Sequence, residues 1–567
     1  MERLIPVPGR PRNPTAAVAT AIGGGLLGLM WLSVFGGLTI DDAFITWRYA
    51  INLVDHGIWN YNPSYIDLVE AYTNPSFAFL AIIPAALGIS IEVFFKFFMG
   101  ALGIVFLVWM WRRPIPAWQR IGLLVLTIAN PIMHVHWWSG LETGLWIMVM
   151  TLVFTRMWER GELGWAGYGG LLLLALTRPE GLGYLAVLVV WQLLLKRTAR
   201  QWLQTGVLLV VLGGYWVART LYFGRLLPNT FYAKTAGHAK TTGLAFGAVI
   251  MVLICVLVPV LVMIAVDRSP VRLGERIRRV VVPYRPGGGD AVERARWTPV
   301  LMAVLAVGIQ FVVYANSSLQ MDYANRFAFQ LVLPVLLVCL SLPLTGRRRV
   351  PAAVALVMMA VVVGVIQASR MNGVPLVLAM AGLGLAVAAV ATKRGRATVA
   401  ATVLLAISVS LIPFQDALWM AIYRPRLQST HVPVGKVLAN YNAPGNVMVV
   451  HDAGVVPYES GWETIDVYGL ATRRITDQEM TVEDLAEINP EVVIANRFLA
   501  KSYLNKYGDR YDKVPNTTIH VLKTFDPGLK RDLEAEIAKD LEERKLDRVQ
   551  ILLQRWPGLD WFTGGTR

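Results

Sequence analysis

Cysteine is almost missing from this chain. Cys255 and Cys339 are the only two in 567 residues. Both lie inside apolar runs, where they read as packing residues and not as a disulfide framework or a thiolate metal centre. Charge is scarce as well: Asp, Glu, Lys and Arg make up 16%, against about 25% in soluble globular domains. Acids are scarcer still in residues 1–414, which hold 16 of them. No contiguous basic face is visible, so nucleic acid is not an expected partner. Internal repeats and low-complexity tracts are also missing, which weighs against a transporter built from repeated halves.

What is present is apolar sequence: 55% of the residues, with a mean hydropathy of +0.50. Runs of roughly 18–20 apolar residues recur from 16 to 414, the length that spans a bilayer. The lipid bilayer is therefore an expected partner. Residues 16–38 are too long for the core of a cleavable signal and read as the first span. The net charge of +15 is unevenly divided: from 415 onward there are 19 Lys+Arg against 22 Asp+Glu, a balance of −3. The basic excess of 1–414 sits in short loops, which are placed inside by the positive-inside rule. To keep Arg112, Arg113 and Arg120 inside, 77–87 is read as a re-entrant or interfacial helix and 93–111 as the second span. Loops 134–143, 177–181, 219–242 and 316–326 then fall outside.

The expected fold is mostly α: a polytopic membrane part, 1–414, with about 11–13 transmembrane helices and interfacial helices in its first outer loop. Residues 42–54 are read as one of these, with Phe44, Trp47, Ile51 and Val54 on one face. A small extracytoplasmic α/β domain, 415–567, follows. There 447–450 and 492–495 read as buried strands, and 482–488 and 527–553 as helices, the last with Leu533, Ile537 and Leu541 on one face.

Each outer loop supplies one polar cluster with aromatics. The first holds Asp41, Asp42, Arg48, Glu70 and Tyr72. The second holds His134, His136, Trp137 and Glu142, the third Arg178 and Glu180. The fourth holds Asn229, Tyr232 and Lys234, the fifth Asp322 and Arg326. Carboxylates, aromatics and cations at one membrane face suit a lipid phosphate and a sugar. A carboxylate takes the proton of an attacking hydroxyl, and Arg178, Lys234 or Arg326 holds the phosphate. Trp and Tyr at helix ends also serve as interfacial anchors, Arg178 with Glu180 also reads as an ion pair, and His134 with His136 also reads as a weak metal or acyl-transfer motif.

The order Asp41-Asp42, then Val69-Glu70-Ala71-Tyr72-Thr73-Asn74, Ser139-Gly140-Leu141-Glu142-Thr143, Thr177-Arg178-Pro179-Glu180-Gly181 and Leu227-Pro228-Asn229-Thr230 resembles the GT-C superfamily of polyprenyl-phosphate-sugar glycosyltransferases. Within it, the chain is most similar to the terminal β-(1→2) arabinofuranosyltransferases of mycobacterial cell-wall assembly and their actinobacterial relatives. The stretch His451-Asp452-Ala453-Gly454, with Asp466, Gly469 and Leu470, is similar to that group as well. The resemblance implies an inverting transfer from decaprenyl-phospho-arabinofuranose to a cell-wall polysaccharide, arabinogalactan or lipoarabinomannan, on the outer face. It makes Asp41 or Asp42 the general base and gives Glu142 a part in orienting the acceptor. Some members use a divalent metal. The outer loops here lack Asp-x-Asp and Asp-x-x-Asp, so no metal ligands are assigned and an obligatory metal is not expected.

Two other classes compete. A transporter places its ionisable groups near the midplane, whereas these acids sit at one face. A non-enzymatic glycan-binding membrane protein has no need of an acid pair beside cationic loops. The outer domain is expected to cover the site and select the acceptor, with Asp452, Tyr458 and Glu459 facing the cavity.

Overall fold

The structure, a computed structural model, describes residues 14–235 and 414–543 with short interruptions, and a few positions between 323 and 337. The spans expected between 236 and 413, and Asp322, lie outside the described residues.

Ten helices of the first part are used below: α1 (Pro14–Phe35), α2 (Asp41–His56), α3 (Pro75–Ala86), α4 (Ile91–Trp111), α5 (Pro131–Trp138), α6 (Thr143–Arg160), α7 (Gly164–Thr177), α8 (Glu180–Leu195), α9 (Ala199–Phe223) and α10 (Asn229–Thr235). Among the described residues α4 and α9 are long and apolar enough to cross a membrane. α5 and α6 make a third candidate if the pair, bent by 110°, is one broken span. The outward side chains of α4 and α9 are apolar, among them Phe97, Ile104, Val210 and Leu221. Such a surface suits lipid and not water. α3 has 12 residues, about 18 Å at 1.5 Å per residue, too short to cross.

α2 departs from expectation. An interfacial helix buries one face and leaves the other wet. Here Ala43, Phe44, Trp47 and Ala50 enter the core of the helical part. Ile45 and Tyr49, on the other side, enter a core shared with the carboxyl-terminal unit. α2 is thus a wedge between the two parts, and only its last turn, Val54, Asp55 and His56, is exposed. The physical reason is the following loop. Tyr61 donates to the Ala453 carbonyl at 2.6 Å, and Asn62 exchanges two 3.0 Å hydrogen bonds with the Thr464 backbone.

The carboxyl-terminal unit begins on α11 (Phe414–Ala439). Met420 and Leu427 of this helix pack with the helical part, Val434 and Leu438 with the sheet. The packing boundary therefore falls inside α11, beyond residue 414. The sheet comprises β1 (Val447–Val450), β2 (Glu463–Asp466), β3 (Val492–Ile494), β4 (Tyr511–Lys513) and β5 (Ile519–Leu522), in the order β2-β1-β3-β5-β4. β1 runs parallel to β2 and β3, and β5 antiparallel to β3 and β4. Helices α12 (Val455–Ser460), α13 (Arg473–Thr476), α14 (Val482–Ile488), α15 (Phe498–Tyr507) and α16 (Pro527–Glu543) flank it. Leu533 is buried in the core and Ile537 packs against it, while Leu541 has no described side-chain environment.

Candidate active site

Asp41 and Asp42 are the first two residues of α2, where unpaired N–H groups and the macrodipole favour carboxylates. Their surroundings differ. Asp41 is buried. Its Oδ1 accepts the Val455 N–H at 2.8 Å, and its own N–H points at the Tyr423 hydroxyl at 3.5 Å. Burial pushes its carboxyl up to about 7; the Val455 N–H opposes this, and the charges of Asp452 and Asp42 add to it. Asp42 is half-buried, and its carboxylate makes no hydrogen bond among the described residues. Burial raises its pKa, Arg326 and Lys234 pull it back, and Glu142 and Asp452 push it up again.

Gly454 explains how the carboxyl-terminal unit sits so close. A Cβ there would run into the Asp41 carboxylate and carbonyl, so only glycine fits. Gly454→Ala is expected to lower stability by about 1–3 kcal/mol, the range for overpacking, read as a lower Tm. Wild-type melting would show that the loop is not seated on Asp41.

Gly140 plays the matching part on the other side. Its φ of +77° makes the turn between α5 and α6, and its Cα lies so close to Thr39, Trp47 and Ala43 that a Cβ would approach them at 3.1–3.2 Å. The Ser139 carbonyl accepts the Ile40 N–H at 2.9 Å. The second outer loop is thereby tied to the start of α2, and Glu142 is brought beside Asp42.

Three loops complete the cluster. Glu142 accepts from Asn74 Nδ2 at 3.0 Å and from Arg178 Nη1. Arg178 also meets both oxygens of Glu180, at 3.1 and 3.3 Å. All three side chains of this triad are buried. Lys234, at the end of α10, has no ion-pair partner among the described residues. Burial lowers its pKa, the charge of Arg326 adds to this, and Asp42 opposes it. Arg326 lies within electrostatic reach of Asp42, Glu142 and Arg178, with its guanidinium over the Tyr323 ring at 5.2 Å. Asp42, Glu142, Arg178, Glu180, Lys234 and Arg326 therefore converge from five loops. Asp452 joins them from the carboxyl-terminal unit, exposed and within reach of both Asp41 and Asp42.

Other candidates are placed differently. Arg48 is consumed by docking: it donates to the Tyr61 carbonyl at 2.6 Å and the Trp462 carbonyl at 2.5 Å, so its fork faces protein and not substrate. Glu70 pairs with Arg219, also within reach of the Tyr72 and Tyr215 hydroxyls, and Tyr72 accepts from Trp59 Nε1 at 3.0 Å. These two brace the first loop against α9. Asn229 is held by the Gly469 and Leu470 carbonyls at 2.7 and 3.0 Å, and Tyr232 packs under Arg225.

Both ring nitrogens of His134 are engaged, by the Ile128 carbonyl at 2.8 Å and Trp138 Nε1 at 3.3 Å, so neither is open to a metal or phosphate. His136 is fully buried, 6.2 Å from the Tyr323 ring. Trp137 donates to the Met99 carbonyl at 2.7 Å and packs on α4. Tyr458 packs edge-on against Phe44 at 5.1 Å, and Glu459 lies against Gly435 of α11, so neither joins Asp452 beside Asp42. Among the described residues no three His, Cys, Asp or Glu side chains are grouped to hold a metal. Tyr423 and Arg219 were not singled out from sequence, and Gly454 entered only within the His451-Asp452-Ala453-Gly454 stretch, without a structural role. Arg219 carried a signal as a charge near the end of an apolar span.

Residues 420–538 match a family described as a domain of unknown function, DUF8728. No curated protein matches the chain. Two crystal structures of ArnT from Cupriavidus metallidurans are similar to it, each with a TM-score of 0.49. The one bound to undecaprenyl phosphate is 13% identical, covering 89% of this chain and 97% of that one. The apo form is 14% identical, covering 89% and 98%.

Proposed function

We propose that this chain is a membrane glycosyltransferase that moves a sugar, arabinofuranose, from a polyprenyl phosphate to a hydroxyl of a cell-wall polysaccharide. The observation that carries this reading is the contrast among the acids. Asp41, Glu70, Glu142 and Glu180 are committed to protein partners, while Asp42 makes no hydrogen bond among the described residues and lies within electrostatic reach of Lys234 and Arg326. The motif resemblance supplies the substrate class.

Asp42 is the general base and Asp41 the residue that positions it. Lys234 and Arg326 receive the donor phosphate. The acceptor hydroxyl loses its proton to Asp42 as its oxygen bonds to the anomeric carbon. The bond from that carbon to the phosphate oxygen breaks, and the added negative charge settles on the lipid phosphate between the two cations. Fixed cations at that point stabilise the transition state more than the ground state. Arg178 is already saturated by two carboxylates, so its part is to hold Glu142 beside Asp42.

Purified protein in lipid, given labelled decaprenyl-phospho-arabinofuranose and an arabinan acceptor, is expected to form a longer saccharide and free decaprenyl phosphate. Release of sugar to neither acceptor nor water would refute the reading. A single displacement inverts the anomeric carbon, which NMR of donor and product checks; retention would make a carboxylate the nucleophile.

Lys234→Gln and Arg326→Gln are each expected to raise the donor KM. The sign of the accompanying pH effect follows from the charges. Both cations hold Asp42 down, and the base works when ionised, so activity rises with pH through its pKa. Removing Lys234 should therefore move the acid limb of kcat/KM to higher pH. An unmoved limb with unchanged donor KM would place the phosphate elsewhere.

A further inference from the structure

A second cluster of side chains lies outside the donor site. β2, β1 and β3 are adjacent and parallel, so their carboxyl ends share one edge of the sheet, the edge where open α/β sheets bind ligands. His451 follows β1 directly, Tyr468 comes just after β2, and Phe498 opens α15 beyond β3. Their rings meet there. His451 is 5.5 Å from Phe498 and 6.1 Å from Tyr468, and Tyr468 is 6.0 Å from Phe498, between ring centroids.

Two features separate this cluster from ordinary core packing. Phe498 is 41% exposed and holds a φ of +50°, a left-handed conformation that a bulky L-residue keeps only under constraint from its surroundings. His451 Nδ1 is buried with no hydrogen-bond partner among the described residues, a state that costs free energy until a partner arrives. An exposed aromatic face beside an unpaired ring nitrogen matches a saccharide. The apolar face of a sugar ring packs on the aromatic, and a hydroxyl pairs with the nitrogen.

Position narrows the ligand further. Four residue steps separate His451 from Val455, whose N–H holds Asp41, so the His451 backbone lies at most about 14 Å from that of the residue that grips the acid pair. Exposed Asp452 lies between them. We propose that His451, Tyr468 and Phe498 form an acceptor subsite, which holds a sugar of the acceptor chain set back from its reacting end while the terminal hydroxyl reaches Asp42. This rests on the glycosyltransferase reading above. The ligand class is a neutral oligosaccharide.

The test uses the full-length protein in lipid nanodiscs, with a synthetic arabinofuranosyl hexasaccharide as probe and no donor present. Titration followed by saturation-transfer NMR is expected to show binding to the wild type. Phe498→Ala and His451→Ala should each weaken it about tenfold, as loss of an aromatic contact and its paired group predicts, and Phe498→Tyr should retain it. Equal melting temperatures exclude misfolding as the cause. In transfer assays the hexasaccharide KM should rise in the two alanine variants while the donor KM stays. No binding to the wild type, or equal binding by all variants, overturns the subsite. Phe498-dependent binding by a protein that transfers no sugar would uphold the subsite and refute the enzyme reading.

Discussion

Asp42→Asn is expected to lower kcat for transfer by about 10²- to 10⁴-fold, the range for loss of a general base, while Asp41→Asn should lower it by far less. The two substitutions are chemically identical and one residue apart, so the difference isolates position. Asn at 42 keeps shape and loses the ability to take a proton. Asn at 41 still presents an oxygen to the Val455 N–H, the one side-chain bond that Asp41 makes at 2.8 Å. Asp41→Leu removes that oxygen and should both slow transfer and lower Tm, because a buried N–H loses its acceptor. Comparison of kcat for the four proteins decides the matter. The reverse order, with Asp41→Asn the dead variant and Asp42→Asn active, would exchange the two roles.

Arg178→Gln is expected to destabilise the protein by about 3–5 kcal/mol, the cost of breaking a buried ion pair from one side. Glu142 and Glu180 are both buried and both look to Arg178 for their charge. Removing the cation leaves two carboxylates with no compensating charge in the triad. Adding Glu180→Gln to Arg178→Gln should recover part of the loss, since one stranded charge is removed. Denaturant unfolding in detergent measures both. A single variant that unfolds like the wild type and fails only in donor binding would return Arg178 to the phosphate.

Hydropathy makes the faces of such a protein readable, because charge is costly in lipid and collects where the chain leaves it. That is why Asp42, Glu142, Lys234 and Arg326 could be assigned to one face from sequence. Pairing was not readable. Glu70 meets Arg219, and Arg48 meets the Trp462 carbonyl, across sequence separations of 149 and 414 residues. No local pattern tells a carboxylate that finds such a partner from one that stays open. The same limit hid the wedge role of α2, whose second buried face packs on a unit four hundred residues away. β1 and β3 were legible as apolar runs, whereas β2 and β4 were not. β2 is four residues with charges at both ends, and β4 is three residues of which two are charged. Tyr458 and Glu459 were expected to face the cavity with Asp452, but α12 turns them onto Phe44 and α11.

The measurement that bears most directly on the central claim is a structure of the full-length protein with decaprenyl phosphate bound. The account predicts the phosphate between Lys234 and Arg326, its oxygens within hydrogen-bond distance of both, with the Asp42 carboxylate across an open space wide enough for a sugar. A phosphate seated elsewhere, such as against Arg219, Arg225 and Arg473, which gather around Glu70, would contradict it.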